Sequence, residues 1–361
     1  MNPAAAAAPT ASVDLLRVPI AHPGDLAPVE ALRDAGYALD DVLAVVGKTE
    51  GNGCVNDFSR TLATARWEPV LPPETVTVFS GGTEGVLSPH VNLVVADPGP
   101  HHPGHDRGLV AASGRTRDLA PGELGREPQL AAVRELVAEL VKRLGLSADE
   151  VDLVLVKCPL LTSERIAACR AAGEEPVTED TYESMARSRA ASALGVALAL
   201  GECEEASALD ALTAQRTDTV WSSRASASSG AELTDCHVLV LGTSRAAGNP
   251  LRAVHGEMRD AIDLDALREL FGRVAAEGGE VVQVFAKAEA DPSGRVRGER
   301  HTMLTDSDVP ATRHARAAVG GLLAALAGQP ALYVSGGAEH QGPPGGGGVT
   351  VVYRVPDPAA P

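Results

Sequence analysis

Val151-Asp-Leu-Val-Leu-Val156 runs straight into Lys157, and this stretch decides how the chain is read. A short apolar run rich in β-branched residues marks a strand buried on both faces. The same design occurs twice more: Leu43-Ala-Val-Val-Gly47 ends at Lys48, and Val281-Val-Gln-Val-Phe-Ala286 ends at Lys287. Of the 31 basic residues only four are lysine, the fourth being Lys142 beside Arg143 on a predicted helix. A chain that uses arginine for almost all its positive charge has put three of its four lysines at the ends of buried strands. What lysine offers and arginine does not is the ability to lose its proton near neutral pH.

Working outward from each lysine, the same order of residues follows. An arginine precedes small residues in Ser59-Arg-Thr-Leu-Ala-Thr64, Ser188-Arg-Ala-Ala-Ser-Ala193 and Ala315-Arg-Ala-Ala-Val-Gly320, all helix-like. Then comes a Ser-x-Gly-x-Glu step: Ser80-Gly-Gly-Thr-Glu84, Ser228-Ser-Gly-Ala-Glu232 and Ser335-Gly-Gly-Ala-Glu339. Val76–Phe79 and Ala331–Val334 are expected strands leading into serine loops. Val91–Ala96, His237–Leu241 and Val349–Tyr353 are strands expected after them. Leu130–Leu144, Ser184–Leu200 and Arg313–Ala327 have helical spacing.

Lys, Arg and Ser thus recur in fixed order, which makes the chain an internal triplication. Pro98 to Gly108 is dense in proline and glycine and Ala246 to Pro250 is a second connection, giving units at 1–98, 107–245 and 250–361. The predicted fold class is α/β, in the α+β sense of mixed strands and helices. Three equivalent units pack most simply around a pseudo-threefold axis, with β-structure central and helices outside. One composite pocket would then collect the three Lys, three Arg and three Ser.

The chemistry follows from residue type. Serine becomes a nucleophile when a neutral lysine takes its proton, and crowding cations in a partly dehydrated pocket lowers lysine pKa. Glycine beside serine lets backbone N–H groups approach a developing oxyanion. Arginine holds further carbonyl oxygens. Together these describe hydrolysis of an amide-like carbonyl in a small, carbonyl-rich, threefold substrate. A lone Ser-Gly-Gly is usually only a turn and a lone strand-end lysine is usually solvated; the recurrence is what argues otherwise.

Composition narrows the partners. A net charge of -17 over 361 residues disfavours nucleic acid and anionic membrane surfaces. Met1 to Asp14 has no basic n-region or apolar h-region, and Cys54, Cys158, Cys169, Cys203 and Cys236 form no C-x-x-C pair, so a cytoplasmic protein is expected. His101, His102 and His105 sit in the Pro/Gly connection and are expected in solvent. Alternation points Cys158 away from Lys157 and gives it no catalytic part. Gly345-Gly-Gly-Gly348 lacks the Gly-Lys-Ser/Thr ending of a phosphate loop, although its carbonyls suit a hard cation with Glu289 as carboxylate.

Gly47-Lys-Thr-Glu-Gly-Asn-Gly-Cys-Val-Asn-Asp57, Ser80-Gly-Gly-Thr-Glu-Gly-Val-Leu-Ser-Pro-His90, Val156-Lys-Cys-Pro-Leu-Leu161, Thr181-Tyr-Glu-Ser-Met185, His301-Thr-Met-Leu304 and Ser335-Gly-Gly-Ala-Glu-His-Gln-Gly-Pro343 together resemble the cyanuric acid hydrolase and barbiturase family of ring-opening amidohydrolases. The resemblance implies three Ser-Lys pairs around a central substrate ring, with Lys157 and Ser228 carrying nucleophilic catalysis and Lys48 and Lys287 supporting. It implies substrate binding by Arg60, Ser80, Gly81, Arg189, Ser229, Arg316, Ser335 and Gly336. It also implies no cofactor for catalysis, a structural Mg²⁺ or Ca²⁺ held by Glu289 with groups of Ala338, Gln341, Gly342, Pro343 and Gly346, and a homotetramer. Ser229 stands where the other repeats have Gly81 and Gly336, so the second loop is already distinct. Three intact arginines favour the symmetric ring of cyanuric acid over barbituric acid, which lacks one polar ring NH. A non-catalytic binder built on the same pocket is the alternative of another class.

Overall fold

Alternation along a strand sorts its side chains onto two faces. In the computed structural model, which describes residues 12–97, 104–214 and 219–357, that sorting builds three four-stranded sheets from successive stretches of chain. The first stretch holds β1 (Val13–Pro19), α1 (Pro28–Asp34), β2 (Val42–Thr49), α2 (Phe58–Trp67), β3 (Val76–Gly81) and β4 (His90–Ala96). The second holds β5 (Gly108–Arg115), α3 (Glu127–Leu144), β6 (Val151–Pro159), α4 (Ser163–Ala171), α5 (Thr181–Ala199), α6 (Glu205–Ala214), β7 (Ala225–Gly230) and β8 (His237–Ser244). The third holds β9 (Leu251–Met258), α7 (Leu264–Ala276), β10 (Glu280–Ala288), a small hairpin of β11 (Arg295–Val296) and β12 (Glu299–Arg300), α8 (Ala311–Ala327), β13 (Tyr333–Gly336) and β14 (Gly347–Arg354).

Read in one direction, the strand orders are β1-β4-β2-β3, β5-β8-β6-β7 and β9-β14-β10-β13, so one topology occurs three times. Each lysine strand pairs parallel with its serine strand, and α2, α5 and α8 lie in the crossovers that parallel pairing requires. The register sets Lys48 opposite Ser80, Lys157 opposite Ser228 and Lys287 opposite Ser335.

The inner faces of the three sheets share one core, where Ala44, Val46, Val76 and Val78 meet Leu153, Leu155, Leu239, Phe285, Tyr333 and Val352. Outer faces are covered by local helices: Leu32 and Trp67 over the first sheet, Val133, Val137 and Val196 over the second, Leu267, Leu270, Val319 and Leu323 over the third. Period two then carries the inner rows forward, from Ala44 and Val46 to Lys48, from Leu153 and Leu155 to Lys157, and from Phe285 to Lys287. The shared apolar core therefore ends in three lysines, with the three serines beside them.

Some details differ from the sequence reading. The serines lie inside the last residues of β3, β7 and β13, not in loops, because parallel pairing with the lysine strands continues through them. The strand Ala225-Ser-Ala-Ser-Ser-Gly230 has no β-branched residue to announce it, yet every residue is buried. The long helices begin two or three residues earlier than their apolar spacing suggests; for α5 the Asp180 carboxylate accepts the N–H groups of Tyr182 and Glu183 and sets the start. His101 and His102 lie outside the described residues. The His105 side chain is not solvated: only 1% exposed, it packs 3.4 Å from Asp357. Lys142 is exposed on α3, and Cys158 faces the outer core of the second sheet with its Sγ donating to Ser228 O at 3.4 Å. Among the described residues no helix is long and apolar enough to cross a membrane.

Because Leu155 is fully buried where the sheets meet, Leu155→Ala is expected to cost about 2–5 kcal/mol in urea unfolding and Leu155→Met less than about 1.5 kcal/mol.

Candidate active site

At the end of the shared core a small polar pocket is lined by Gly53, Arg60, Ser80, Gly81, Lys157, Met185, Arg189, Ser228, Ser229, Arg316, Ser335 and Gly336. All three arginines and all three serines reach it. All three strand-end lysines are buried, and of them only Lys157 lines the cavity.

Each arginine leaves its helix for the glutamate of the next repeat. Arg316 on α8 makes two bonds of 2.6 Å to the Glu84 carboxylate, and Arg189 on α5 makes two of 2.7 Å to Glu339. These bidentate pairs fix the guanidinium planes at the cavity rim. Arg60 on α2 is different: its Nε lies 3.7 Å from Glu232, and its terminal nitrogen donates to Cys54 O at 2.6 Å. The helix carrying it is capped by Asp57, which accepts Ser59 N–H at 3.0 Å.

The lysines divide the same way. Lys48 Nζ donates to Ser80 Oγ at 3.2 Å, and Lys287 Nζ to Ser335 Oγ at 3.2 Å. Lys157 Nζ donates instead to Phe79 O at 2.7 Å and Ser229 O at 3.2 Å and lies 3.0 Å from the Glu232 carboxylate. No hydrogen bond joins it to Ser228, whose buried hydroxyl has no partner among the described residues. The strand register is the same in all three repeats, so the difference lies in side-chain orientation rather than in backbone placement.

Burial is the largest cause of the depressed lysine pKa values, and the neighbouring arginines add to it. Lys48 lies well below its ordinary value through burial and then Arg316. Lys287 is drawn down to about 7 by burial and then Arg189. Lys157 is also lowered by burial, with Glu232 pulling it back up. Desolvation therefore outweighs the cation crowding that the sequence reading emphasised.

Backbone space explains the glycines. A Cβ on Gly336 would sit 2.6 Å from a terminal nitrogen of Arg316, and one on Gly81 would strike the Asp57 carboxylate. The second repeat tolerates Ser229, whose hydroxyl accepts from Arg189 at 3.3 Å.

Behind Ser335 lies the oxygen-rich loop around Glu289. Burial, and next the negative Glu339, push the Glu289 carboxyl up to about 7. A cation would relieve both. Gln341 Oε1 accepts Ala227 N–H at 2.6 Å, and its backbone carbonyl accepts Gly348 N–H at 3.2 Å. Among the described residues no group of three His, Cys, Asp or Glu gathers as metal ligands, so any cation here would rest on one carboxylate and backbone carbonyls, a set suited to Mg²⁺ or Ca²⁺.

The sequence reading gave Glu84, Glu232 and Glu339 no role, although each closes a Ser-x-Gly-x-Glu step. It also missed Met185 at the cavity wall and Tyr333, whose buried hydroxyl lies beside Ser80 and Ser228.

The chain resembles known proteins over nearly its whole length. A family model described as amidohydrolase ring-opening protein matches residues 14–354. A cyanuric acid amidohydrolase of Rhodococcus sp. is 64% identical over 96% of this chain and 96% of its own length. Another, of Pseudonocardia dioxanivorans, is 63% identical over 95% and 98%. A solved cyanuric acid hydrolase, described as evolutionary innovation by structural concatenation, superposes with a TM-score of 0.91 at 44% identity, covering 96% of this chain and all of that one.

Gly337 has φ +76° and a Cβ there would come within 2.6 Å of the Arg189 guanidinium carbon. Gly337→Ala is therefore expected to lower stability by more than about 1 kcal/mol in a thermal melt. Exposed Gly272→Ala on α7, which meets nothing within 4 Å, should be neutral or stabilising by up to about 1 kcal/mol in the same thermal melt.

Proposed function

The chain belongs to the ring-opening amidohydrolases, and from that premise we propose how it works on its substrate. It hydrolyses cyanuric acid, opening the ring at a C–N bond. One observation supports Ser228 as the nucleophile above the other serines: of the three strand-end lysines, only Lys157 lines the cavity. Ser80 and Ser335 hydroxyls are engaged by Lys48 and Lys287, whereas Ser228 Oγ is free to turn toward a ring carbonyl.

The threefold ring lies across the cavity with its carbonyl oxygens toward Arg60, Arg189 and Arg316 and toward the backbone at Ser80–Gly81, Ser228–Ser229 and Ser335–Gly336. Neutral Lys157 accepts the Ser228 proton as Oγ attacks a ring carbonyl carbon. N–H groups and guanidinium donors hold the oxyanion. As it collapses, the ring C–N bond breaks, and Lys157 returns the proton to the departing nitrogen. The acyl group on Ser228 is then hydrolysed by water to carboxybiuret, which loses CO2 to give biuret. Barbituric acid puts a methylene where one ring NH should meet the polar rim and is the poorer substrate.

A Mg²⁺ or Ca²⁺ at Glu289, with groups of Ala338, Gln341, Gly342, Pro343 and Gly346, would offset the two neighbouring carboxyl groups and fix the loop after Ser335. Its effect is structural. A cytoplasmic homotetramer completes the reading: five free cysteines suit a reducing compartment, and the family resemblance supplies the tetramer.

Purified protein incubated separately with cyanuric and barbituric acid, followed by ring absorbance, should consume the first much faster; equal loss or none would reject the assignment. Lys157→Arg keeps the charge but removes the base, so kcat should fall about 10²–10⁴-fold. Because the base acts when neutral, kcat/KM should rise with pH through Lys157 deprotonation, with a midpoint below the ordinary lysine value of about 10.4. Elemental analysis should find about one equivalent of Mg²⁺ or Ca²⁺ per chain, and chelation should lower the melting temperature.

A further inference from the structure

The three arginine–glutamate pairs are equivalent in sequence and run cyclically from one repeat to the next, yet only two are closed. Glu84 and Glu339 each bind both nitrogens of an arginine fork. Glu232 does not. Its carboxylate is 3.7 Å from Arg60 Nε and 3.0 Å from Lys157 Nζ, and the Arg60 Nε is left without a hydrogen-bond partner. Neither of the other two lysines has a carboxylate in ion-pair range among the described residues. The one acid released from its arginine thus sits on the one lysine that lines the cavity.

We propose that Glu232 is the positioning residue of the second repeat, forming a Ser228–Lys157–Glu232 triad in which its carboxylate orients the Lys157 amine and stabilises the ammonium formed when Lys157 takes the Ser228 proton. This rests on the reading of Lys157 as base given above. In the balanced step, the proton moves from Ser228 Oγ to Lys157 Nζ and on to the departing ring nitrogen. Glu232 stays ionised throughout and exchanges no proton.

The surroundings suit an ionised acid. Glu232 is buried, which alone would raise its pKa, but Lys157 and Arg60 outweigh burial and hold it below the ordinary carboxylate range. Arg165 on α4 stands near it as a further cation. The groups that face Lys157 are Glu232, Arg60 from α2, Cys158 on its own strand and His237 opposite it on β8. The Cys158 thiol is raised by burial and stays neutral. His237 Nδ1 is occupied at the Thr77 backbone, 3.1 Å from its N–H. Among the described residues, Glu232 is therefore the one carboxylate next to the amine. It does not line the cavity, so its influence on substrate passes through Lys157.

A base with a carboxylate partner is more basic, and its protonated form costs less in a dry site. The same device would explain how one of three matched dyads carries the chemistry. Lys48 and Lys287 instead hold serine hydroxyls as fixed rim donors and acceptors.

The test is the pH profile of Glu232→Gln against wild type, with cyanuric acid as substrate and folding checked by thermal melt. Losing the carboxylate lowers Lys157 basicity, so the acid limb of kcat/KM should move about 1–2 pH units lower. The plateau kcat should fall about tenfold or more, with KM within about threefold. Glu232→Asp, whose shorter chain withdraws the charge, should be intermediate in both, and it carries the test alone should Glu232→Gln not fold. An acid limb unmoved in whichever of these variants folds, or a raised KM at unchanged kcat, would overturn the proposal. If Lys157→Arg is inactive while the Glu232 limb stays put, this inference fails and the assignment of the base stands. If Lys157→Arg remains active, the assignment of the base is what fails.

Discussion

Three lysines at the end of one apolar core impose the constraint on which the rest of the structure depends. A buried ammonium loses its hydration, a cost of several kcal/mol per ion that the fold must offset or avoid. Here the response is visible around each Nζ: it donates to backbone carbonyls or serine hydroxyls, its pKa falls, and nearby guanidiniums push it further. The neutral amine that acyl chemistry needs is therefore the form that burial already favours. The stability problem and the catalytic requirement have one solution because the site closes the core instead of lying on the surface.

Parallel pairing makes that solution repeatable. Lysine and serine strands held in register place each amine level with a hydroxyl, and period-two alternation turns both toward the axis. The crossover helix between them is then the natural carrier of the arginine. With β2, α2 and β3 reproduced as β6, α5 and β7 and again as β10, α8 and β13, the lysine and serine of each repeat come from strand ends and the arginine from the helix between them. Links between repeats lock the set: Lys157 donates to Phe79 O in the preceding repeat, and Lys287 to Ala227 O.

Much of this was legible because apolar runs ending in lysine are unusual in an arginine-rich chain, and because each signal occurred three times. The lysine strands, the strands that follow the serine steps, the repeat order, the fold class and the convergence of the arginines and serines could be read from pattern alone, whereas the opening strands β1, β5 and β9 and the withdrawal of Lys48 and Lys287 from the cavity could not. β7 could not, since Ala225-Ser-Ala-Ser-Ser-Gly230 owes its strand to packing and pairing rather than propensity. The glutamates were in plain view at the fifth place of each serine step, but sequence does not show that Glu84 reaches across 232 positions to Arg316. His105 was misjudged for a related reason: a Pro/Gly connection reads as solvated until Asp357, 252 positions on, is brought against it.

Joining three copies in one chain removes the symmetry that separate subunits would enforce. In a true trimer, any change at one serine loop would appear at all three, so a base could be improved only by altering the binding groups as well. Here the second loop alone has Ser229 in place of glycine, and the second glutamate alone leaves its arginine for a lysine. On the proposed reading, a threefold substrate would still meet three arginines and three serines at the rim, while the groups behind them differ. Recognition can therefore stay symmetric as proton transfer becomes the task of one repeat, because the two functions draw on different atoms of the same recurring motif.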